Sequence, residues 1–506
     1  MSPSKIDGPL PLRTKFAFGV GSAAETLALL SVSSFAMLYY NQVLGLRADL
    51  AGLAISASLI LDGFADPIVG ALSDRTRSRF GRRHGYMFAA PLFIGAALIG
   101  VFNPAAGLGQ LGLFLWFTGS VALLRICMSV YHTPHLALGG ELSTDYTERS
   151  KIMSWNNFFA WAGGALTSFF ALRFVFKATP EYPRGLLNPA PYSPFSIACA
   201  ILAVTILFAS AWFTRDQIAR LPKPPAHLPK LSPFEFLKDL GQAMSNRNYL
   251  WLLIGYFFLS MMIGLRTGLH LYVNTYFWQL KSEEIALFVI GSFAGYASGF
   301  LFSARLHGRF DKRRTIIAST LTYAVAPAVP ITLGQMGLLS HDTPGLLAML
   351  IGFSVISYGA VSIAAITILS ALADVADQNE LKYGVRQEGV LYSTRALAAK
   401  VDQAIGAALA GFALTIINFP AKAHPGQVPH EVVWNLALFD GVLATIPGVI
   451  AAFFYARYGI TRRSYEETRL ALLARRDAAS GATRAPAATS VEDRLPEGAA
   501  PTSGKA

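Results

Sequence analysis

Two aspartates, Asp62 and Asp66, lie one helical turn apart in a mostly apolar stretch, residues 50–72, that is long enough to cross a lipid bilayer. Side chains four residues apart share one face of a helix, so the two carboxylates repel each other there. Each carboxylate costs about 2.5–3.5 kcal/mol near the bilayer centre. Such a pair is tolerable when a positive group binds to it, for example a coupling cation, a proton or a basic side chain. The pair therefore predicts an ion-coupled transporter.

Further polar side chains lie in apolar segments and add to this pattern. They are Glu25 and Thr26 on the first segment, Ser129, His132 and His135 on the fourth, and Arg266, Arg395 and Lys400 in the second half of the chain. Acidic groups thus concentrate in the first half and basic groups in the second. Charges that leave water are tolerated when paired, so we expect them to meet between the halves. Lys400 could hold the aspartates in the empty state and yield to a cation.

The composition indicates an all-α membrane protein. Of 506 residues, 53% are hydrophobic and 14% are charged, which excludes a soluble globular protein. Apolar blocks of about 20 residues recur along the chain, as transmembrane helices require. We predict twelve transmembrane helices, at residues 15–45, 50–72, 84–104, 110–140, 151–177, 192–214, 248–279, 284–306, 314–336, 344–372, 388–418 and 432–458.

The net charge of +12 is concentrated in alternate loops. Arginine and lysine cluster between spans 2 and 3, 6 and 7, and 8 and 9, and after span 12, whereas loops such as residues 102–110 are nearly free of cations. This alternation follows the positive-inside rule and predicts that both termini are cytoplasmic. The basic surplus is thus explained by topology, and we expect no nucleic-acid partner. We predict a multi-pass protein of the plasma membrane, which in bacteria is the inner membrane.

The predicted spans divide into two six-helix bundles joined by a polar linker. We expect a cytoplasmic N-terminus (1–14), a first bundle (15–214), a cytoplasmic linker (215–247), a second bundle (248–458) and a cytoplasmic, largely disordered tail (459–506). An amphipathic stretch from Pro233 suggests a helix within the linker, at the membrane surface. A basic loop with one acidic residue follows both span 2 and span 8. This internal repeat is typical of transporters that work by alternating access.

Two carboxylates and a hydroxyl form a hard oxygen ligand set that suits Na⁺, Li⁺ or H⁺ as coupling ion better than a soft metal. His132 and His135 resemble a metal pair only weakly, since Pro134 lies between them and no third ligand is evident. Substrate hydrogen bonding or proton handling is the preferred role for these histidines. We expect no metal site and no cofactor.

Five segments together resemble the glycoside–pentoside–hexuronide:cation symporters, the melibiose-permease-like branch of the major facilitator superfamily. The segments are residues 62–67, 73–83, 145–149 and 373–388, and the helix-11 segment around Lys400. The resemblance implies the major facilitator fold of two six-helix bundles. It also implies that Asp62 and Asp66 bind the coupling cation, that Ser129 stands where a helix-4 threonine adds a hydroxyl, and that Lys400 is the helix-11 lysine near that site.

The chain departs from the galactoside-binding members of that family. Thr26 replaces a helix-1 aspartate, with Glu25 one residue out of register, and His132 replaces a helix-4 aspartate. Other differences are Leu136 for a tryptophan, Asn157 for a helix-5 arginine and Ala65 for an asparagine between the cation-site aspartates. We therefore expect substrate contacts from Glu25, Thr26, His132, Asn157, Arg266 and Arg395, and a solute that is not a galactoside. The basic groups allow an anionic solute such as a uronide. Ala65, in place of the asparagine, weakens the case for Na⁺ as the coupling ion and leaves H⁺ as an alternative.

Charged residues near the predicted cytoplasmic ends of the helices are expected to act as gates. They are Asp74, Arg75, Arg82 and Arg83 after span 2, Arg149 after span 4, and Asp374, Asp377, Arg386 and Glu388 between spans 10 and 11. We expect the last group to occupy a solvated loop.

The sequence thus predicts a monomeric secondary active symporter that couples Na⁺ or H⁺ to uptake of a sugar-like solute. Its partners are a small solute, a monovalent cation or proton, and the lipid bilayer. A lysophospholipid carrier, a proton-coupled exporter and a non-transporting membrane sensor are the alternatives. An enzyme is not expected, since it would need a nucleophile or a metal cluster.

Overall fold

The described part of the chain contains twelve helices that are long and apolar enough to cross a membrane, and no strand occurs there. The computed structural model describes residues 10–143, 145–221, 241, 244–383 and 388–484. The helices are α1 (Leu12–Leu38), α2 (Ala48–Arg75), α3 (His84–Phe102), α4 (Gln110–Glu141), α5 (Tyr146–Phe170), α6 (Tyr192–Phe213), α7 (Arg247–Tyr272), α8 (Phe288–Arg309), α9 (Lys312–Val325, continued by Ala328–Gln335), α10 (Leu346–Tyr383), α11 (Glu388–Ile416), α12 (His430–Leu438, continued by Thr445–Tyr455) and α13 (Arg462–Arg484). The predicted all-α membrane fold is confirmed.

The helix α10 is longer than predicted. It continues to Tyr383, so Asp374 and Asp377 lie on a helix and the expected solvated loop at this position is wrong. Leu372 and Val375 are buried and continue the helical spacing of apolar residues beyond the predicted end of the span. Asp374 is itself 4% exposed, because it packs against α9.

The helix α13 begins the segment that we expected to be largely disordered, so that expectation is wrong for residues 462–484. Alanine, leucine, glutamate and arginine favour a helix here. Leu472 is buried, and the Arg475 side chain donates a hydrogen bond to the carbonyl of Leu381 at 3.3 Å. This helix therefore packs against the end of α10. The linker helix predicted from Pro233 lies outside the described residues.

The first helices of the two bundles end in the same way, which supports the internal repeat. α1 continues as a π-helical turn, Tyr39–Val43, and α7 continues as another, Val273–Phe277. A left-handed residue follows each turn, Gly45 with φ 85° and Gln279 with φ 51°. We call the end of the bundles with these turns the opposite face, and the end with the arginine-rich loops the basic face.

The two bundles meet chiefly where α2 packs against α11, and to a smaller extent where α5 packs against α8 and where α1 packs against α7. Small residues allow the first contact: a Cβ atom at Gly52 would lie 2.7 Å from the carbonyl oxygen of Ala407 and 3.0 Å from the Cα atom of Gly411. At the second contact the ring centroids of Trp161 and Phe293 are 5.1 Å apart.

Hydrogen bonds close the opposite face. The Tyr276 hydroxyl donates to Gln42 Oε1 at 2.9 Å, and Gln42 Nε2 donates to the Pro420 carbonyl at 3.2 Å. Toward the basic face, by contrast, Phe64 and Ile68 of α2 are 64% and 60% exposed. Hydrogen bonds between the two bundles thus join them at the opposite face.

We expect Gly411→Ala to destabilise the closed opposite face. Its Cβ atom would lie 2.4 Å from the Ala48 carbonyl oxygen, so the two helices must move apart. Overpacking of this kind costs about 1–3 kcal/mol. Thermal unfolding of the purified protein should report a lower Tm. Gly119→Ala on α4 is the matched control, because nothing lies within 4 Å of its Cβ position. Equal Tm values for the two variants would contradict the tight contact.

Candidate functional site

The lysine of α11 reaches both aspartates of α2. The Lys400 ammonium donates to Asp66 Oδ2 at 2.6 Å and lies 3.0 Å from Asp62 Oδ2. It also donates to the main-chain carbonyl oxygen of Asp62 at 3.2 Å. The three side chains predicted to meet between the bundles therefore do so, and one ammonium joins the first bundle to the second.

One face of α4 completes this cluster. Ser129 donates to Asp62 Oδ1 at 2.8 Å, which brings the predicted hydroxyl to the carboxylate. Arg125 lies one turn before Ser129, and its guanidinium is 3.6 Å from Asp62 Oδ2. Thr133 lies one turn after Ser129, and its hydroxyl is 3.4 Å from Asp66 Oδ1. The four-residue spacing along α4 was the available signal for Thr133, which the sequence analysis missed.

The cluster is balanced in formal charge and partly open to solvent. Two carboxylates face two basic side chains, so the pairing offsets part of the cost of taking each charge out of water. The side chains of Asp66 and Lys400 are 32% and 24% exposed, whereas that of Arg125 is 9% exposed. A hydrated cation can therefore approach Asp66, where carboxylate and hydroxyl oxygens form a hard ligand set.

A second polar cluster joins α1 to α4. Glu25 is 5% exposed, and each of its carboxylate oxygens contacts a histidine. Oε2 lies 2.7 Å from His132 Nδ1, and Oε1 lies 2.8 Å from His135 Nδ1. The other ring nitrogen of His135, Nε2, lies 2.9 Å from the carbonyl oxygen of Phe18. His135 was not among the predicted solute-binding residues.

Thr26 and Asn157 are not brought into either cluster. The Thr26 hydroxyl donates to the Ser22 carbonyl of its own helix at 3.0 Å. Asn157 is exposed on α5, and it is the preceding residue, Asn156, that bonds the Ser22 hydroxyl.

The two arginines of the second bundle have different surroundings. Arg266 is 7% exposed and donates to the Ala324 carbonyl of α9 at 2.7 Å. Arg395 is partly exposed on α11 and donates to the Tyr256 hydroxyl at 3.1 Å. Only Arg395 of the two is thus accessible to a solute in this conformation.

The predicted gate residues of the first bundle form an ion-pair cluster at the basic face. Arg83 lies 2.6 Å from Asp74 Oδ1 and 2.8 Å from Glu141 Oε1, and Arg82 lies 2.7 Å from the same Glu141 oxygen. This cluster fixes the α2–α3 loop to the end of α4. Glu141 was not predicted, although it ends the same apolar segment as Ser129.

The other predicted gate residues lie apart from that cluster. Arg75 is exposed, and the Arg149 guanidinium donates to the Ser143 carbonyl at 3.1 Å. In the second bundle, Asp374 pairs with Lys312 at 2.7 Å, and Asp377 lies half-buried on the same helix. Arg386 lies outside the described residues, and Glu388 is described only as the first residue of α11.

The sequence matches the MFS/sugar transport protein family over residues 17–462. That range runs from within the first span, Leu12–Val43, to beyond the twelfth, His430–Tyr455. The chain belongs to this family. Its members are carriers, so the chain is a multi-pass membrane protein of the major facilitator fold, and the resemblance seen in the sequence is confirmed. No catalytic family is indicated.

Curated relatives of this MFS/sugar transport protein match along nearly their whole length. The symporter sll1374 of Synechocystis is 26% identical over 94% of this chain and 99% of its own. The inner membrane symporter YicJ of Escherichia coli is 24% identical over 89% and 92%, and the isoprimeverose transporter of Lactiplantibacillus pentosus is 22% identical over 84% and 85%.

Solved structures support the fold of this carrier. A bacterial homologue of the human lysosomal transporter Spinster, in an inward-facing and unoccupied conformation, aligns over 91% of this chain and 99% of its own, with a TM-score of 0.61 and 13% identity. The D-xylose–proton symporter aligns over 88% and 98%, with a TM-score of 0.59 and 15% identity.

Proposed function

We propose that this protein is a secondary active symporter that couples a monovalent cation, Na⁺, Li⁺ or H⁺, to uptake of a sugar-like solute. The observation that carries the proposal is the Lys400 ammonium between Asp62 and Asp66, 3.0 and 2.6 Å from their carboxylates. A cation can replace the positive charge that this lysine brings to the two carboxylates.

The coupling cation competes with Lys400 for the two carboxylates. Asp62, Asp66 and Ser129 bind the cation, and Thr133 adds a hydroxyl that lies 3.4 Å from Asp66. When the cation binds, Lys400 is released and the α2–α11 contact is reorganised. One charge that crosses a potential of 100 mV contributes about 2.3 kcal/mol, which suffices to drive solute accumulation.

The solute is a glycoside, pentoside or hexuronide, and not a galactoside. The family and the names of the relatives, symporters and an isoprimeverose transporter, support a sugar-like solute. Glu25 is held between two imidazoles, so its carboxylate is not free to accept hydrogen bonds from sugar hydroxyls. The helix-1 aspartate of the galactoside-binding members is the group expected to do so. Arg395 remains partly exposed and favours an acidic group on the solute.

The basic face is cytoplasmic in this proposal, because its loops carry the arginines and lysines. The protein works as a monomer in the inner membrane. Closure of the opposite face through Gln42 then corresponds to a carrier that is open toward the cytoplasm.

Thermal unfolding of the purified protein tests the proposal. Neutral glycosides, uronides and lysophospholipids are added one at a time, with and without Na⁺ or Li⁺, at two pH values. A ligand that binds the folded state raises Tm by mass action. We expect one sugar-like ligand whose stabilisation grows with one cation or with acid. Stabilisation that is equal under every ionic condition would contradict symport.

Arg395→Gln tests the acidic solute. We expect the ratio of uronide to neutral glycoside uptake in proteoliposomes to fall at least about tenfold, since a charge-assisted hydrogen bond contributes about 1.5–3 kcal/mol. Arg149→Gln is the control, because it removes an equal charge from a side chain that contacts only the Ser143 carbonyl among its described partners. An unchanged ratio in Arg395→Gln would exclude an anionic solute held by this arginine.

A further inference from the structure

The contact between His135 and Glu25 can form only if it contains a proton. The Phe18 carbonyl oxygen accepts hydrogen bonds and cannot donate, so His135 Nε2, 2.9 Å away, must carry a hydrogen. A neutral imidazole would then have a bare Nδ1 facing Glu25 Oε1 at 2.8 Å. Two lone pairs repel at that distance. Either Nδ1 is also protonated, giving an imidazolium, or the Glu25 carboxyl holds the hydrogen.

This proton lies in a dry environment. The side chain of His135 is 1% exposed and that of Glu25 is 6% exposed. The rings of Phe18 and Tyr131 lie 4.4 and 5.4 Å from the imidazole of His135. Loss of the proton would leave a buried carboxylate without its charge partner, which is costly in a low-dielectric interior.

The second histidine gives this proton a route to solvent. His132 Nδ1 lies 2.7 Å from the other oxygen of Glu25, and the His132 side chain is 43% exposed. A neutral imidazole that is protonated at Nδ1 satisfies this contact. A proton can therefore pass between solvent and the buried pair through His132 and the two oxygens of Glu25.

We propose that Glu25, His132 and His135 form a proton-binding site of this carrier, separate from the carboxylate pair at Lys400. The site binds one proton between α1 and α4, shared by His135 and Glu25, and exchanges it through His132. It requires no solute and does not rest on cation symport at Asp62. The ligand is a proton, because the contact of His135 Nδ1 with Glu25 Oε1 requires a hydrogen once His135 Nε2 donates to the Phe18 carbonyl.

Titratable and charged groups on the neighbouring helices surround this site. They are Asp66 on α2, His84 on α3, Tyr131 on α4 and Lys400 on α11. Asp66 and Lys400 act on His132 with opposite signs, so a cation that displaces Lys400 also changes the field at the proton site. The two sites are therefore electrostatically coupled, although their ligands differ.

Nitrogen NMR of the full-length protein in lipid, labelled with ¹⁵N at its nine histidines, tests the site. At a pH of about 8.5 an ordinary histidine is neutral. We expect either one ring with hydrogen on both nitrogens, absent in His135→Gln and Glu25→Gln, or an infrared band of a protonated carboxyl that is lost in Glu25→Gln. Wild-type spectra with neither signal would overturn the proposal. Because this test needs only the wild-type protein, it holds even if both variants fail to fold.

Asp62→Asn separates this proposal from cation symport. We expect this variant to keep the doubly protonated ring or the carboxyl band, because its substitution lies outside the Glu25 cluster. Loss of that signal in a folded Asp62→Asn protein would mean that the proton belongs to the carboxylate pair, and would overturn a separate site. If the wild-type protein shows the signal but no cation-dependent stabilisation, the result counts against symport only.

Discussion

Asp62→Asn is expected to abolish cation-dependent stabilisation of the protein. The substitution removes the carboxylate that accepts from Ser129 at 2.8 Å and faces Lys400 at 3.0 Å, so the cation loses the more buried of its two carboxylates. A loss of about 2.7 kcal/mol corresponds to a hundredfold weaker affinity, and we expect at least that change. The shift of Tm with Na⁺ or Li⁺ concentration, measured for wild type and variant, gives the two affinities.

Asp49→Asn is the matched control for this prediction. Asp49 lies on the same helix, and its carboxylate pairs with Arg47 at 2.5 Å near the opposite face. Asp49→Asn therefore makes the same chemical change as Asp62→Asn, at a position distant from the cluster around Lys400. Cation-dependent stabilisation should be retained in Asp49→Asn. A wild-type response in Asp62→Asn would remove this aspartate from the cation site.

Lys400→Met is expected to separate cation binding from transport. Without the ammonium, the two carboxylates lose the partner that holds them in the empty state. Removal of one member of a fully buried pair costs about 3–5 kcal/mol, and the partial exposure of Asp66 and Lys400 lowers that cost. The variant should therefore unfold at a lower temperature without cation and gain more from added Na⁺ or Li⁺ than wild type does. Cation-driven uptake in proteoliposomes should fall at least about a hundredfold, because no group competes to release the ion.

Lys312→Met is the control, since it breaks an ion pair with Asp374 at 2.7 Å within the second bundle. We expect this variant to lose stability with a wild-type cation response. If Lys400→Met gained no more from cation than Lys312→Met, competition between lysine and cation would be contradicted.

The cluster around Lys400 was largely predictable, because its charged members are unusual in the sequence segments where they occur. Asp62, Asp66 and Lys400 are ionisable groups inside apolar segments, where an unpaired charge is too costly to keep. The count of spans and the division into two bundles followed from apolar length and from the polar linker. Opposite charge in the two halves then indicated which groups meet.

Other features depend on contacts that spacing alone does not determine. Thr133 and Arg125 share a face of α4 with Ser129, but a hydroxyl or a guanidinium on a helix has many possible partners. The site of His135 required the position of Phe18 on another helix. Residues 462–484 form a helix that packs against α10, and the polar composition of that segment does not indicate this packing.

The side-chain amide of Gln42 makes three of the hydrogen bonds that close the opposite face. Its Oε1 accepts from Tyr276 at 2.9 Å and from the Ala423 amide at 3.0 Å, and its Nε2 donates to the Pro420 carbonyl at 3.2 Å. Three hydrogen bonds at about 1 kcal/mol each favour the closed conformation by roughly 3 kcal/mol, a ratio of about a hundred. A ligand that opens this face must therefore offset at least this contribution through a higher affinity for the open conformation.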